Sequence, residues 1–159
     1  MSDVNKDFSD FIEALNRNDV EYVIVGAFAL AFLGFPRATG DIAFWIRPTK
    51  PNAEALMRAL RDFGFEALGI REEDILSGQV IQIGYPPVRI DLLTELDGVS
   101  GKEIWESRRE GPYGDHAVFY LGKEIFLKNK RASDRPKDQV DVALFKPTPK
   151  RRKDGRKAR

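Results

Sequence analysis

Two short stretches decide how this chain folds: VIVGA at Val23 to Ala27, and TGDIAFWI at Thr39 to Ile46. The first is an apolar, β-branched run that ends at a glycine and an alanine. The second is a β-rich run that begins just after a glycine, with a carboxylate. A short apolar segment lies between them, so the pattern predicts a strand, a sharp turn, a short helix and a second strand.

Gly26 is the turning point of the first stretch. A glycine lets the backbone turn sharply, and it lets a ligand approach the amides at the start of the following helix. We predict that strand over Glu21 to Val25 and that helix over Ala27 to Leu33, where Gly34 ends it. The helix is almost wholly apolar, so we expect it to be buried.

The second strand, predicted over Asp41 to Arg47, carries its polar residue at the start. Side chains alternate along a strand, so Asp41, position 43 and Trp45 share one face. Acids at both 41 and 43 would point together. Ala43 stands in the second of these places.

A second acid lies inside a later apolar strand. The segments Gln79 to Gly84 and Val88 to Thr94 predict two strands joined as a hairpin, with Asp91 in the second. A carboxylate is costly to bury unless it is paired or binds a metal. Asp91 therefore either forms a structural salt bridge, with Arg89 or Arg37 as the partner, or binds a cation.

The remaining apolar patterns predict further elements along the chain. Helices are expected over residues 4–18, between Thr49 and Gly64, and over residues 100–109, 123–132 and 136–145, with a last strand over 116–121. At 159 residues the chain fits one domain, predicted over residues 1–145.

Composition excludes several kinds of chemistry. The chain has no cysteine and one histidine, His116, so a thiolate site, a histidine-rich metal site and a Ser-His-Asp triad are all unsupported. The first residues are polar and acidic, unlike a signal peptide. The longest apolar stretch, Tyr22 to Leu33, is shorter than the roughly 18 residues of a membrane helix. We expect a cytoplasmic protein with no membrane partner.

A basic tail is predicted over residues 146–159. It contains eight Lys or Arg residues and one Asp, so the whole chain's charge of +1 leaves −6 for residues 1–145. Such a tail either contacts RNA or another polyanion, or is a solvated terminus that keeps the protein soluble.

Asp41 and Asp91 could both point into a cleft floored by Gly26 and Ala27. Oxygen ligands select Mg²⁺ or Mn²⁺, which usually arrive with the phosphates of a nucleotide. The reaction implied is nucleotidyl transfer.

These residues resemble the nucleotidyltransferase superfamily of the DNA polymerase β type. The resemblance rests on Gly26-Ala27, a spacer of thirteen residues, Asp41-Ile42-Ala43, and Asp91 on a later strand. The surrounding sequence is similar to small stand-alone bacterial and archaeal members, some of them toxins of toxin-antitoxin pairs. Residues 128–138 and Asp141 are similar to the family's C-terminal basic helix pair, and the resemblance covers residues 7–145.

The resemblance implies an α+β fold with a mixed central sheet, flanking helices and a C-terminal helix pair. It implies that Gly26 and Ala27 approach the triphosphate, that Asp41 ligates the metals, and that Asp91 binds the second metal and helps deprotonate the acceptor. Candidate phosphate contacts are Arg37, Lys130, Arg131, Arg135 and Lys137. The partners implied are a nucleoside triphosphate, an acceptor such as the 3′ end of a tRNA or a protein hydroxyl, and an antitoxin or regulatory protein.

Ala43 departs from the family pattern, which has an acid at this position. Alanine offers no oxygen to a cation, and it is a poor strand former. Either an inactivating Asp→Ala substitution was made deliberately, the explanation that we favour, or the chain is a naturally degenerate homologue. We therefore expect an impaired nucleotidyltransferase, or alternatively a non-catalytic module that binds nucleic acid or protein.

Overall fold

A mixed β-sheet with helices on both faces organises the protein. The computed structural model describes residues 5–36, 39–65, 68–85, 88–133 and 136–145. The elements within these ranges are α1 (Lys6–Arg17), β1 (Tyr22–Val25), α2 (Ala27–Phe32), β2 (Asp41–Ile46), α3 (Lys50–Asp62), α4 (Glu72–Leu76), β3 (Ile81–Tyr85), β4 (Val88–Leu93), α5 (Gly101–Ser107), β5 (Arg109–Tyr113), β6 (His116–Tyr120), α6 (Lys123–Ala132) and α7 (Pro136–Ala143).

The strands lie in the order β3-β4-β2-β1-β6-β5. β2 is antiparallel to β1 and parallel to β4, and β1 is parallel to β6. The two outer pairs, β3 with β4 and β5 with β6, are antiparallel hairpins. The predicted α+β class and the mixed central sheet are therefore confirmed, and so is the antiparallel pairing of the two strands predicted over Gln79 to Gly84 and Val88 to Thr94.

The alternation predicted for β2 divides its residues between two apolar clusters. Ile42, Phe44 and Ile46 are fully buried in a core formed mainly with α1 and α3. Trp45 is fully buried on the other face, where α2, α5 and α6 pack, and Ala43 contacts the same cluster. The face that carries Ala43 is thus the face that carries the two C-terminal helices.

Side-chain caps mark the residues at which α1, α3 and α5 begin. Asn5 Oδ1 accepts a hydrogen bond from the Phe8 N–H at the start of α1, and Thr49 does the same for Asn52 at the start of α3. Ser100 and Glu103 form a reciprocal capping box at the start of α5.

Two elements were not predicted. α4 is a single short helix, too brief for its apolar periodicity to stand out. β5 contains Gly111 and Pro112, which are typical of a loop, yet it pairs with β6 over its whole length. Because β5 is an edge strand, Pro112 can lie in it without removing a hydrogen bond from the interior of the sheet.

Some predictions fall outside the described ranges, namely those on Arg37, on Arg135 and on the tail at residues 146–159. Among the described residues, no helix combines the length and the apolar character that crossing a bilayer requires.

Candidate active site

A cavity of about 370 Å³ lies where β1, β2 and β4 face the C-terminal helices. It is lined by Val25, Gly26, Ala27, Thr39, Asp41, Ala43, Val80, Arg89, Asp91, Leu93, Glu95, Leu96, Asp97, Asn129, Lys130, Ser133 and Asp141. The two stretches that opened the sequence analysis therefore form one wall of this cavity, together with β4.

Gly26 forms the turn between β1 and α2. Its φ of 73° lies in the region that side chains rarely tolerate, so a glycine is required by the backbone itself. A Cβ at this position would lie 3.7 Å from the Cβ of Ala43. Gly26 and Ala43 are thus immediate neighbours, and the absence of bulk at both leaves the wall of the cavity open.

Asp41 and Asp91 lie on neighbouring parallel strands. In the register of β2 with β4, the Cα of Asp41 is opposite Arg89 and the Cα of Ala43 is opposite Asp91. Asp41 and Asp91 are therefore on the same face of the sheet, as the sequence predicted, and position 43 stands directly across from Asp91.

One guanidinium group joins the two acids. Arg89 Nε donates to Asp91 Oδ1 at 2.8 Å, and Arg89 Nη2 donates to Asp91 Oδ2 and to Asp41 Oδ2, each at 3.1 Å. Because both Oδ2 atoms contact the same nitrogen, they lie no further apart than twice that distance. The salt bridge to Arg89, which the sequence left open as an alternative for Asp91, is thus present.

The two carboxylates stabilise the protonated form of the Arg89 guanidinium. The hydrogen bond from its side chain to Asp91, with the negative charges of Asp91 and Asp41, raises the pKa of the guanidinium above its ordinary value. Arg89 is therefore a permanent cation between two carboxylates.

The opposite wall comes from α6 and α7. Lys130 Nζ lies 3.9 Å from Asp141 Oδ2, and the side chain of Asp141 is almost completely buried. Ser133 is also buried, and Asn129 donates to the backbone carbonyl of Asp97 at 3.0 Å. This wall thus places a buried carboxylate, Asp141, and a partly buried amine, Lys130, across the cavity from the Arg89 ion pair.

Most of the site residues predicted from the sequence meet at this cavity, namely Gly26, Ala27, Asp41, Ala43, Asp91 and Lys130. Arg131 is exposed and is not part of the lining. Lys137 belongs to the first turn of α7.

Several lining residues were not singled out as site residues. Asn129 lies on α6 next to Lys130, and Ser133 is the C-cap residue four positions later, so their spacing was a signal that they lie near Lys130. Glu95 and Asp97 follow the apolar strand β4 directly, and a cluster of acids after a buried strand was the available signal. Arg89 was named only as a partner of Asp91.

The donor set can be tested against the divalent cation that the sequence predicted. No group of three or more His, Cys, Asp or Glu side chains within the described ranges is arranged to hold a metal. The pair Asp41 and Asp91 remains, and Mg²⁺ in proteins is typically held by one or two carboxylates together with waters and substrate phosphates. The residues present therefore fit a cation that arrives with a nucleotide, and they do not form a complete metal site of their own.

Comparison with known proteins supports the assignment of the fold. No protein-family model matches the chain, and no curated protein matches it in sequence. The fold, a mixed sheet flanked by helices, is nevertheless similar to folds among the solved structures. One of them is the lincomycin-bound lincosamide antibiotic adenylyltransferase LnuA, with a TM-score of 0.50 and 13% identity, over 89% of this chain and 96% of that chain.

Proposed function

We propose that this protein is a nucleotidyltransferase, which transfers a nucleoside monophosphate from a nucleoside triphosphate to an acceptor hydroxyl with Mg²⁺ or Mn²⁺, and that Ala43 impairs it. The observation that carries the proposal is the convergence of Asp41, Ala43 and Asp91 beside Gly26 on one wall of a cavity. The nucleotidyltransferase fold of LnuA supports the same class of reaction.

In the proposed reaction, the acceptor oxygen forms a bond to the α-phosphorus of the nucleotide, and the bond from that phosphorus to the bridging oxygen breaks. Pyrophosphate leaves, and Asp91 takes the proton of the acceptor hydroxyl. Gly26 leaves room for the phosphates because it has no side chain, and Lys130 supplies positive charge from the opposite wall. A bound divalent cation would stabilise the negative charge that develops on the transferring oxygens.

Ala43 weakens this site at one defined place. Its Cβ faces the cavity between Gly26 and the strand position of Asp91, so an aspartate here would add a carboxylate to the wall that already carries two. Loss of even an outer hydrogen-bonding partner of a metal site costs roughly 10- to 100-fold in affinity or activity, and loss of a ligand costs at least as much.

The decisive experiment compares the protein with Ala43→Asp and with Ala43→Asn, which has the same shape without the charge. Each is incubated with labelled nucleoside triphosphates, Mg²⁺ or Mn²⁺, and acceptors that include total RNA and cell lysate. We expect Ala43→Asp to increase labelled product by about tenfold or more, and Ala43→Asn to leave it unchanged. The proposal fails for these acceptors if no nucleotide yields product with Ala43→Asp.

A second function is favoured by the Arg89 ion pair. Because one cation already neutralises part of the charge of Asp41 and Asp91, the chain with Ala43 could bind a nucleotide or nucleic acid without catalysis. This function predicts that binding survives in chelator, and that deleting residues 146–159 abolishes binding to RNA. An RNA affinity that does not change with salt would contradict it, because phosphate contacts depend on salt.

A further inference from the structure

Arg89 takes no part in the proposed reaction, yet it makes more polar contacts than any other side chain on this wall. Its three side-chain hydrogen bonds all go to Asp41 and Asp91, at 2.8 to 3.1 Å. Its own backbone N–H donates to the carbonyl of Gly40 at 3.0 Å, which fixes the start of the side chain beside β2. The guanidinium therefore uses the same carboxylate oxygens that a divalent cation would need.

We propose that Arg89 is a positioning residue that competes with the divalent cation for Asp41 and Asp91, and that it gives way when a nucleotide brings phosphates to accept its guanidinium. This inference rests on the proposed function, because it assigns the cation and the nucleotide to that same site.

The competition follows from charge and from distance. A magnesium ion takes its oxygen ligands at roughly 2.0 to 2.1 Å, far inside the contacts that Arg89 makes with the same atoms. A guanidinium and a divalent cation on the same two carboxylates would be close like charges in a partly buried place, where repulsion is only weakly screened. The side chain of Asp91 is 15% exposed and that of Arg89 is 24% exposed, so little water would screen the guanidinium from a cation bound at Asp91.

A nucleotide provides the alternative partner. Among the described residues that line the cavity, five are acidic and two, Arg89 and Lys130, are basic. Without a nucleotide, this excess of negative charge keeps the guanidinium of Arg89 on the carboxylates. Phosphate oxygens match the planar donors of a guanidinium as well as carboxylates do. The Arg89 side chain lies at the cavity surface, so it can turn from the acids to a phosphate without disturbing the core.

The experiment measures Mn²⁺ binding by the loss of the free-ion electron paramagnetic resonance signal. The protein is compared with Arg89→Gln, Arg89→Lys and Arg109→Gln, with and without α,β-methylene ATP. Arg109 is the matched control, because it is an exposed arginine on β5 that does not line the cavity. Circular dichroism verifies that each variant is folded.

Without nucleotide, we expect Arg89→Gln to bind Mn²⁺ about tenfold more tightly or better, with Arg109→Gln unchanged. Arg89→Lys keeps the charge without the planar donors, and we expect it to lie between the two. With α,β-methylene ATP present, we expect the advantage of Arg89→Gln to shrink to about threefold or less, and its affinity for the nucleotide to fall, because the phosphates lose a partner.

The outcomes separate this inference from the proposed function. If all variants bind nucleotide but Arg89→Gln binds Mn²⁺ no more tightly than the unchanged protein, Arg89 organises the acids and does not compete, and the inference alone is overturned. If no variant binds either Mn²⁺ or the nucleotide, both the inference and the proposed function are overturned. An equal tightening in Arg109→Gln would show a general charge effect and would also overturn the inference.

Discussion

At its carboxyl end, β2 passes between β1 and β4 with its side chains fully buried, whereas at its amino end the same strand carries half-buried residues. Inside the buried end the hydrogen bonds join neutral groups, and an ion pair between Arg47 and Glu21 at 3.2 Å lies at its exposed margin. Trp45 Nε1 donates to the Thr94 carbonyl at 3.1 Å, and Asn52 joins the end of β2 to the start of β1. The open end is held by the charges of Asp41, Asp91 and Arg89.

The two ends of β2 therefore differ in role: the buried end holds the strand in place, and the open end can exchange its ionic partners for a ligand. A buried neutral hydrogen bond has no competing partner, since water is excluded and no ligand reaches it. A partly exposed ion pair can exchange partners, because a cation can replace the guanidinium on the carboxylates and a phosphate can replace the carboxylates on the guanidinium. The strand is thus anchored at one end and chemically available at the other.

Removing the side-chain hydrogen bonds of Asn52, which join the end of β2 to the start of β1, should cause the largest loss of stability. Asn52 accepts from the Glu21 N–H at 2.7 Å and donates to the carbonyls of Glu21 and Arg47, each at 2.9 Å. Asn52→Ala leaves the Glu21 N–H without this partner and removes one hydrogen bond from each carbonyl, which still accepts from the N–H of Arg47 or of Thr49. With three hydrogen bonds lost, we expect a decrease of about 2 to 3 kcal/mol in the free energy of unfolding. Urea unfolding monitored by tryptophan fluorescence measures it.

Glu54→Ala is the control, since it changes an exposed residue on the same helix and should alter the stability by about 0.5 kcal/mol or less. Equal losses in the two variants would show that helix α3, rather than the hydrogen bonds of Asn52, is responsible.

Raising the pH should lower the stability of the fold by a smaller amount. Tyr22, whose Cα pairs with Ile46, has its pKa raised by burial, and burial raises the pKa of Tyr120 to about 12. A folded state that keeps its phenols protonated is fully stabilised below about pH 10, the pKa of an unfolded tyrosine, and loses stability as the pH rises. The expected slope is about 1.4 kcal/mol per pH unit for each phenol.

Unfolding by urea at pH 9, 10 and 11 tests this dependence. Tyr22→Phe should lower the slope between pH 10 and 11 by one phenol's share, because the titrating group is gone. An unchanged slope would show that Tyr22 does not contribute.

At the open end, Ala43→Asp should have the smallest effect on stability, and one that a metal reverses. The new carboxylate would stand opposite Asp91, and like charges across a strand pair cost up to about 1 kcal/mol. We expect a lower melting temperature in chelator than for Ala43→Asn, and a rise when Mg²⁺ or Mn²⁺ is added. A melting temperature that ignores the metal would argue against a cation site at this position.

Most of the fold was accessible from the sequence, because the long apolar patterns correspond to the elements that build the core. The alternation in β2 correctly separated Phe44 from Trp45. The order of the strands was not accessible, since nothing local states that β1 lies between β2 and β6. β5 was missed because its glycine and proline are tolerated only in an edge strand, and the position of a strand in the sheet cannot be read from local sequence.

The site was accessible in part for a similar reason. Spacing and the family resemblance placed Gly26, Asp41 and Asp91 together, and the structure brings all three to one cavity. The choice between a cation and Arg89 as the partner of Asp91 could not be made from spacing, because the two acids on different strands become one unit only through the β2 and β4 register. The metal and the nucleotide remain predictions.

The edge strand β5 has a consequence for how the protein behaves in a crowded solution. Pro112 has no N–H to offer, and the exposed Arg109 and Glu110 bring charge to the same edge. A second chain that approached this edge to add a strand would meet an interrupted and charged row of backbone groups. Pro112, which made β5 look like a loop in the sequence, thus helps Arg109 and Glu110 to discourage aggregation along that edge of the sheet.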